Sequence, residues 1–221
     1  MAESSVPTLW SGAPDSTSVN RQQRRRGRKL SDMMSYTAQV ISENGYHMAS
    51  LDEIAERMDL SKASIYHYFD GKEALVTATL ESCASYVQQR LQEAAASDGT
   101  PTERLAQLIR TQVNLIAVEA VEVARLFVQP LDWPPAIAET VLQAQRDHGK
   151  IFRDVIHEGV VAGEFQVADE RIARMALQGG MNLVPTWYSD KLGGKRGAVV
   201  VEDITSTLMR LVLPITSPIQ A

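Results

Sequence analysis

The chain has 221 residues, of which 44% are hydrophobic and 22% charged, and a net charge of −5; that is ordinary globular material with enough length for a real core. An acidic chain can meet nucleic acid only through a local basic patch, and a single cysteine, Cys83, excludes an internal disulfide and a cysteine-rich metal site. No stretch is long and apolar enough for a membrane span or for the core of a signal peptide, so a cytoplasmic protein is expected.

Residues 1–20 are made up largely of Ser, Pro and Thr with single Gly and Asp residues and isolated apolar ones, and read as a disordered tail. A run without acids follows, containing Arg21, Arg24, Arg25, Arg26, Arg28 and Lys29. Charges this dense repel, and the run is expected to stay extended until an anion arrives. Tail and basic arm together occupy 1–29. The first helix is expected over 31–44, with Met34, Ala38 and Ile41 on one face and Gly45 as its stop.

Residues 50–69 hold the most informative pattern. Ser50 and Glu53 have capping-box spacing, and Leu51, Ile54, Ala55 and Met58 share a helical face. Asp59, Leu60 and Ser61 interrupt that face, and Ser61 can cap a second helix over 62–68. This helix is too short to persist alone and must be held by Leu60, Ile65 and Phe69. Its other side carries Lys62, Ala63, Ser64, Tyr66, His67 and Tyr68. Small, basic and hydrogen-bonding groups on a supported helix suit entry into the major groove of DNA.

At these residues the chain resembles the TetR family of bacterial transcriptional regulators. The resemblance rests on Ser50 and Leu51, Ile54 and Ala55, Asp59 to Ser61, Ile65 to Phe69, and Lys72 to Leu75. Ser50 stands where the family usually has Thr, and Asp59 where it has Gly. The resemblance implies a DNA-binding unit over 30–75 and a ligand-binding and dimerisation domain over 76–221. It also implies pairing through the last two helices and a phosphate contact from Lys72. The expected DNA-binding residues are Arg24, Arg25, Arg26, Arg28, Ser50, Ser61, Lys62, Ala63, Ser64, Tyr66, His67, Tyr68 and Lys72. Two paired copies would place their reading helices about one DNA turn apart, on palindromic half-sites.

Beyond residue 70 the pattern is helical throughout. Asp70 and Glu73 form a second capping box for a helix over 70–96, which buries Val76, Leu80, Cys83, Val87 and Leu91. Thr100, Pro101 and Glu103 open another helix, and a further helical segment covers 119–129. Paired prolines at 134 and 135 lead into a long helix ending near Gly163. Asp169 caps the next, with Gly179 and Gly180 suited to close approach of a partner. Residues 190–197 read as a connection and 200–213 as the last helix. The whole is an all-α chain of about nine helices, a small three-helix helix-turn-helix unit followed by a larger bundle.

In that bundle Phe127, Trp133, Phe152, Met175, Met181, Trp187 and Tyr188 are candidates to line a cavity for a small apolar or amphipathic molecule. Residues 146–165 and 184–188 resemble the TetR subgroup tied to lipid and sterol catabolism, whose effectors are acyl-CoA thioesters. Two other classes are weighed. An enzyme is disfavoured because His47, His67, His148 and His157 lack metal-ligand spacing and no nucleotide-binding or hydrolase motif occurs. A helical protein-binding adaptor is disfavoured by the arginine run and the exposed polar helix. No cofactor and no metal are expected.

Overall fold

The computed structural model describes residues 21–119, 121–129, 131–187 and 195–214, and every regular element among them is helical. The expected tail at 1–20, Tyr188 and residues 190–194 of the connection lie outside the described residues, as do the side chains of Arg24 and Trp187. The elements are α1 (Arg21–Met48), α2 (Leu51–Arg57), α3 (Lys62–Tyr66), α4 (Lys72–Ala95), α5 (Pro101–Asn114), a π-helical turn (Leu115–Glu119), α6 (Val121–Val128), α7 (Pro135–Val161), α8 (Glu170–Asn182), the single turn α9 (Val184–Trp187) and α10 (Lys195–Met209). They fall into two compact units. One holds the described residues up to Tyr86 together with Glu122–Ala144, and the other holds Val87–Val121 and the described residues from Gln145 on. Helices α4 and α7 each contribute to both.

In the first unit α1 begins earlier than its hydrophobic pattern. Residues 21–29, expected to be extended, are helical and continuous with the rest of α1. Arginine is a good helix former, and a solvated helix throws its side chains outward and apart. The buried stripe is Met33, Ala38, Val40 and Ile41, so Met33 takes the innermost place expected of Met34, which is half-buried. Gly45 breaks the helix as expected, at φ 74°, a left-handed conformation that glycine adopts without steric cost. Helix α4 starts two residues later than expected. Gly71, at φ 103°, accepts the first helical hydrogen bond from Leu75 N–H at 3.2 Å, so Gly71 and not Asp70 holds the capping position.

In the second unit the expected caps form at α5 and α8. Thr100 Oγ1 accepts from Glu103 N–H at 3.3 Å while Glu103 accepts from Thr100 N–H at 2.8 Å, and Asp169 accepts from Ile172 N–H at 2.9 Å. Helix α5 does not simply stop before α6 but passes into the π-turn, whose Leu115, Ile116 and Ala117 are buried. A corner after α7 is set by Gly159, where an added Cβ would come within 2.1 Å of the Phe165 ring. Gly180 serves close approach within the chain: a Cβ there would meet Leu208 at 2.7 Å. Only Gly179 of the expected pair faces open space. Helix α10 is displaced from 200–213: it takes in Lys195 to Val199 and ends at Met209, after which Leu211 to Leu213 close in turns that bond back to Leu208 and Met209.

Candidate nucleic-acid interface

The interface is built on the α2–turn–α3 pair of the first unit. Ser50 precedes α2 in extended conformation, and its Oγ accepts from Glu53 N–H at 3.1 Å. The reciprocal half of the expected box is spent elsewhere. The Glu53 carboxylate takes Asn44 Nδ2 at 2.9 Å and Arg57 at 2.9 Å, and Arg57 also holds Glu43 at 2.6 Å. That hydrogen bond with Arg57 keeps the Glu43 carboxyl below its usual range. Helix α2 is thereby fastened to α1 by charge as well as by the buried Leu51, Ile54 and Ala55.

Asp59 makes the turn at φ 53°, the left-handed region that Asp and Asn enter more readily than other non-glycine residues. Ser61 then starts α3, but its hydroxyl pairs with Ser64 Oγ at 3.0 Å and does not cap the backbone. Helix α3 buries one residue, Ile65, at 0% exposure. Everything else expected to meet DNA is turned out: Ser61, Lys62, Ala63 and His67 are exposed, Tyr66 is 53% exposed, and Ser64 and Tyr68 are half-buried. The α3 candidates thus surround the single buried anchor, with Lys62, Ala63, Tyr66 and His67 the most open to solvent. From α1, the Arg26 guanidinium lies 5.8 Å from the centre of the Tyr68 ring, a cation–π distance, and Arg25 and Arg28 are exposed.

Lys72 has a second occupation. Its Nζ donates to the carbonyls of Tyr46 at 2.9 Å and Ala49 at 3.0 Å and sits 4.2 Å over the Tyr46 ring. Two of its three donors are therefore committed to the broken end of α1, which leaves one for an anion. Asp52 is a residue that sequence reading missed. Its Oδ2 lies 2.7 Å from Lys62 Nζ, and only the geometry of the turn reveals that the first turn of α2 reaches the start of α3.

The ligand candidates whose side chains are described fall in both compact units. Phe127 and Trp133 are half-buried in the first unit, where the Trp133 ring stands 6.0 Å from that of Tyr46. Phe152 and Met181 are fully buried in the second. Met175 is 51% exposed on α8; it lies on the helix face opposite Ala173 and Leu177, which with Met181 are the buried residues there.

Beside Phe152 lies a polar chain in which Gln112 is buried and His148, Arg174 and Gln178 are half-buried. His148 Nε2 is 3.0 Å from Gln112 Oε1, its Nδ1 is 3.0 Å from Gln178 Nε2, and Arg174 donates to Gln178 Oε1. Both ring nitrogens are satisfied in the neutral tautomer that carries its proton on Nε2. Burial, and after it the charge of Arg174, pushes His148 down to about 4. The folded state therefore binds fewer protons than the unfolded chain between pH 4 and 6.5. This contribution to stability is complete above about pH 6.5 and falls as the pH drops toward 4. At pH 5 the expected loss is about 2 kcal/mol, read as a lower urea midpoint, and His148→Gln should remove that part of the pH dependence.

Among the described residues no three His, Cys, Asp or Glu are placed to hold a metal ion, and no helix is long and apolar enough to cross a membrane. Residues 34–79 match the family model described as bacterial regulatory proteins, tetR family, and residues 98–214 match the tetracyclin repressor-like C-terminal domain. The fatty acid metabolism regulator protein of Bacillus subtilis is 26% identical over 72% of this chain and 83% of its own length. The HTH-type transcriptional repressor KstR of Mycolicibacterium smegmatis is 25% identical over 76% of this chain and 78% of its own. In three dimensions the chain is similar to the transcriptional regulator FadR from Bacillus subtilis in complex with stearoyl-CoA, with a TM-score of 0.66, 22% identity, and coverage of 80% of this chain and 96% of that one.

Proposed function

The chain belongs to the TetR family of bacterial regulatory proteins, and from that premise we propose that it is a cytoplasmic homodimeric repressor released from a palindromic operator by an acyl-CoA-like effector. The family consists of DNA-binding transcription regulators, not enzymes, and this chain is one of them. The observation that carries the reading of DNA is the exposed polar face of α3, held in place by the buried Ile65. Ser50, Ser61, Lys72 and the arginines of α1 are assigned to phosphate, the α3 side chains to bases. The helix-turn-helix at 30–75 serves as reader, and residues 76–221 serve ligand binding and pairing.

Pairing is supported by a two-faced α8. Ala173, Leu177 and Met181 point inward, while Ile172 at 61%, Met175 at 51% and Leu183 at 60% exposure line the other side with Gly179. On α10 Val199 is 59% exposed. A solvent-facing row of apolar groups of this kind marks an association surface. Met175→Glu is expected to convert the dimer to a monomer in sedimentation at micromolar concentration, and to weaken duplex binding because one reading helix covers only a half-site. A wild-type monomer under the same conditions would refute pairing.

The effector class is supported by relatives named for fatty acid metabolism and for complex formation with stearoyl-CoA. Helices α4 and α7 run through both compact units, which supplies a covalent route from ligand to reader. A ligand shifts the balance between binding-competent and incompetent shapes only by its differential affinity for them. Titrating short- and long-chain acyl-CoA esters into a protein–duplex complex should release DNA with one chain-length class. An ester that binds tightly and leaves duplex affinity unchanged would refute this mechanism.

A further inference from the structure

The α2–α3 junction carries a charge arrangement that phosphate binding does not explain. Lys62 opens α3, and the N-terminal residues of a reading helix are those that reach base edges. Its ammonium is held by Asp52, at 2.7 Å, from the first turn of α2. Both side chains remain in solvent, Lys62 44% and Asp52 68% exposed. The concave surface around them is lined by Asp52, Glu56, Asp59 and Lys62, with Ala55, Leu60 and Ser61 between. The lining holds three acidic residues and one lysine, and the carboxylate at the ammonium is that of Asp52. A phosphate brought here would meet an ammonium already neutralised by Asp52, on a surface whose lining carries more acids than bases. An uncharged base edge has no charge for those acids to oppose.

A donor and an acceptor side by side can meet adenine, with its N7 acceptor and N6 donor, or a G·C pair in the major groove, and the residue types here, lysine and aspartate, are the ones that favour G·C. Guanine offers N7 and O6 as acceptors, and cytosine offers its N4 amino group as a donor. Lysine is a common partner of the first, and aspartate accepts from the second. We propose that Asp52 and Lys62 act together as a specificity element that reads a G·C pair in each half-site, with Lys62 donating to guanine and Asp52 accepting from cytosine. Asp52 has two further effects. Its charge keeps Lys62 from engaging the backbone, and its hydrogen bond fixes the lysine rotamer, so less conformational entropy is lost when the base arrives. The inference rests on the DNA-reading function proposed above and names what part of that reader sees.

The experiment is selection of duplexes from a random-sequence pool by the full-length wild type, Asp52→Asn and Lys62→Met, followed by affinity measurements at several salt concentrations on the enriched duplexes. The wild type is expected to enrich a sequence with one invariant G·C pair placed symmetrically in both halves. Lys62→Met should lose guanine preference at that position by about tenfold to a hundredfold, the range of one well-made base contact. Asp52→Asn should weaken the same G·C preference and admit T·A there, with asparagine on adenine and Lys62 donating to thymine O4. Preferences at all other positions should stay as in the wild type. The proposal is overturned if both variants keep the wild-type preference at every position. It is equally overturned if Lys62→Met weakens all sequences alike and lowers the salt slope by about 0.9 per protomer, which is phosphate behaviour. A wild-type pool with no enriched sequence would instead refute the DNA-reading function itself.

Discussion

Ile65→Ala is expected to abolish specific DNA binding although residue 65 is fully buried. Helix α3 has five residues, far below the roughly 12–15 at which an isolated helix is even marginal in water. It buries one side chain, Ile65, at 0% exposure. Leu60 and Phe69 at its flanks are only half-buried. Truncating a fully buried Ile to Ala costs about 2–5 kcal/mol, and here that cost falls on one short element. The exposed side chains of α3 then lose their fixed spacing, so the geometric match to base edges goes with it. Two measurements check the outcome. Fluorescence anisotropy should show specific binding falling to the level of a random duplex, and amide exchange should quicken over 62–69. Wild-type affinity in Ile65→Ala would show that α3 is positioned by contacts other than this one.

Phe152→Ala is expected to produce the other large loss, in stability. Phe152 is among the largest fully buried side chains and stacks at 5.3 Å against His148. Removing a buried Phe side chain costs about 3–5 kcal/mol, part of it for the cavity left behind. For a chain of this length that corresponds to a fall of about 10 °C in melting temperature. The same substitution separates two roles that the sequence leaves open, since an aromatic in a bundle can be core or ligand wall. A core residue gives the full loss with or without acyl-CoA. A wall residue gives a small loss, and the stabilisation normally added by ligand disappears. The complete burial of Phe152 and its place next to the satisfied His148 chain favour core.

The reader was legible in the sequence because its signals are local. Ser50, Asp59, Ile65 and Gly45 each act within a few residues of themselves, through a cap, a turn, a buried anchor and a stop. The Asp169 cap of α8 was legible for the same reason, as was the capping box of Thr100 and Glu103. What was not legible depends on residues distant in sequence. Asp52 meets Lys62 only once the turn at Asp59 is made. Gly180 looked available to a partner until Leu208, from α10, was found against it. Lys72 looked free for phosphate, yet it reaches back to the carbonyls of Tyr46 and Ala49. The helical form of 21–29 was missed for a different reason: charge repulsion was weighed, and the helix propensity of arginine was not.

Cys83 gives the chain a built-in clock. The thiol is buried in α4, and that burial pushes its pKa up, so the nucleophilic thiolate is scarce in the native state. With no second cysteine in the sequence, every alkylation event reports on this one position. An electrophile such as iodoacetamide must wait for α4 to open, and under fast reclosing the labelling rate measures the free energy of that opening. Comparing the rate with and without duplex, or with and without an acyl-CoA, would time the helix that leads away from the reader using no label beyond the one the chain already has.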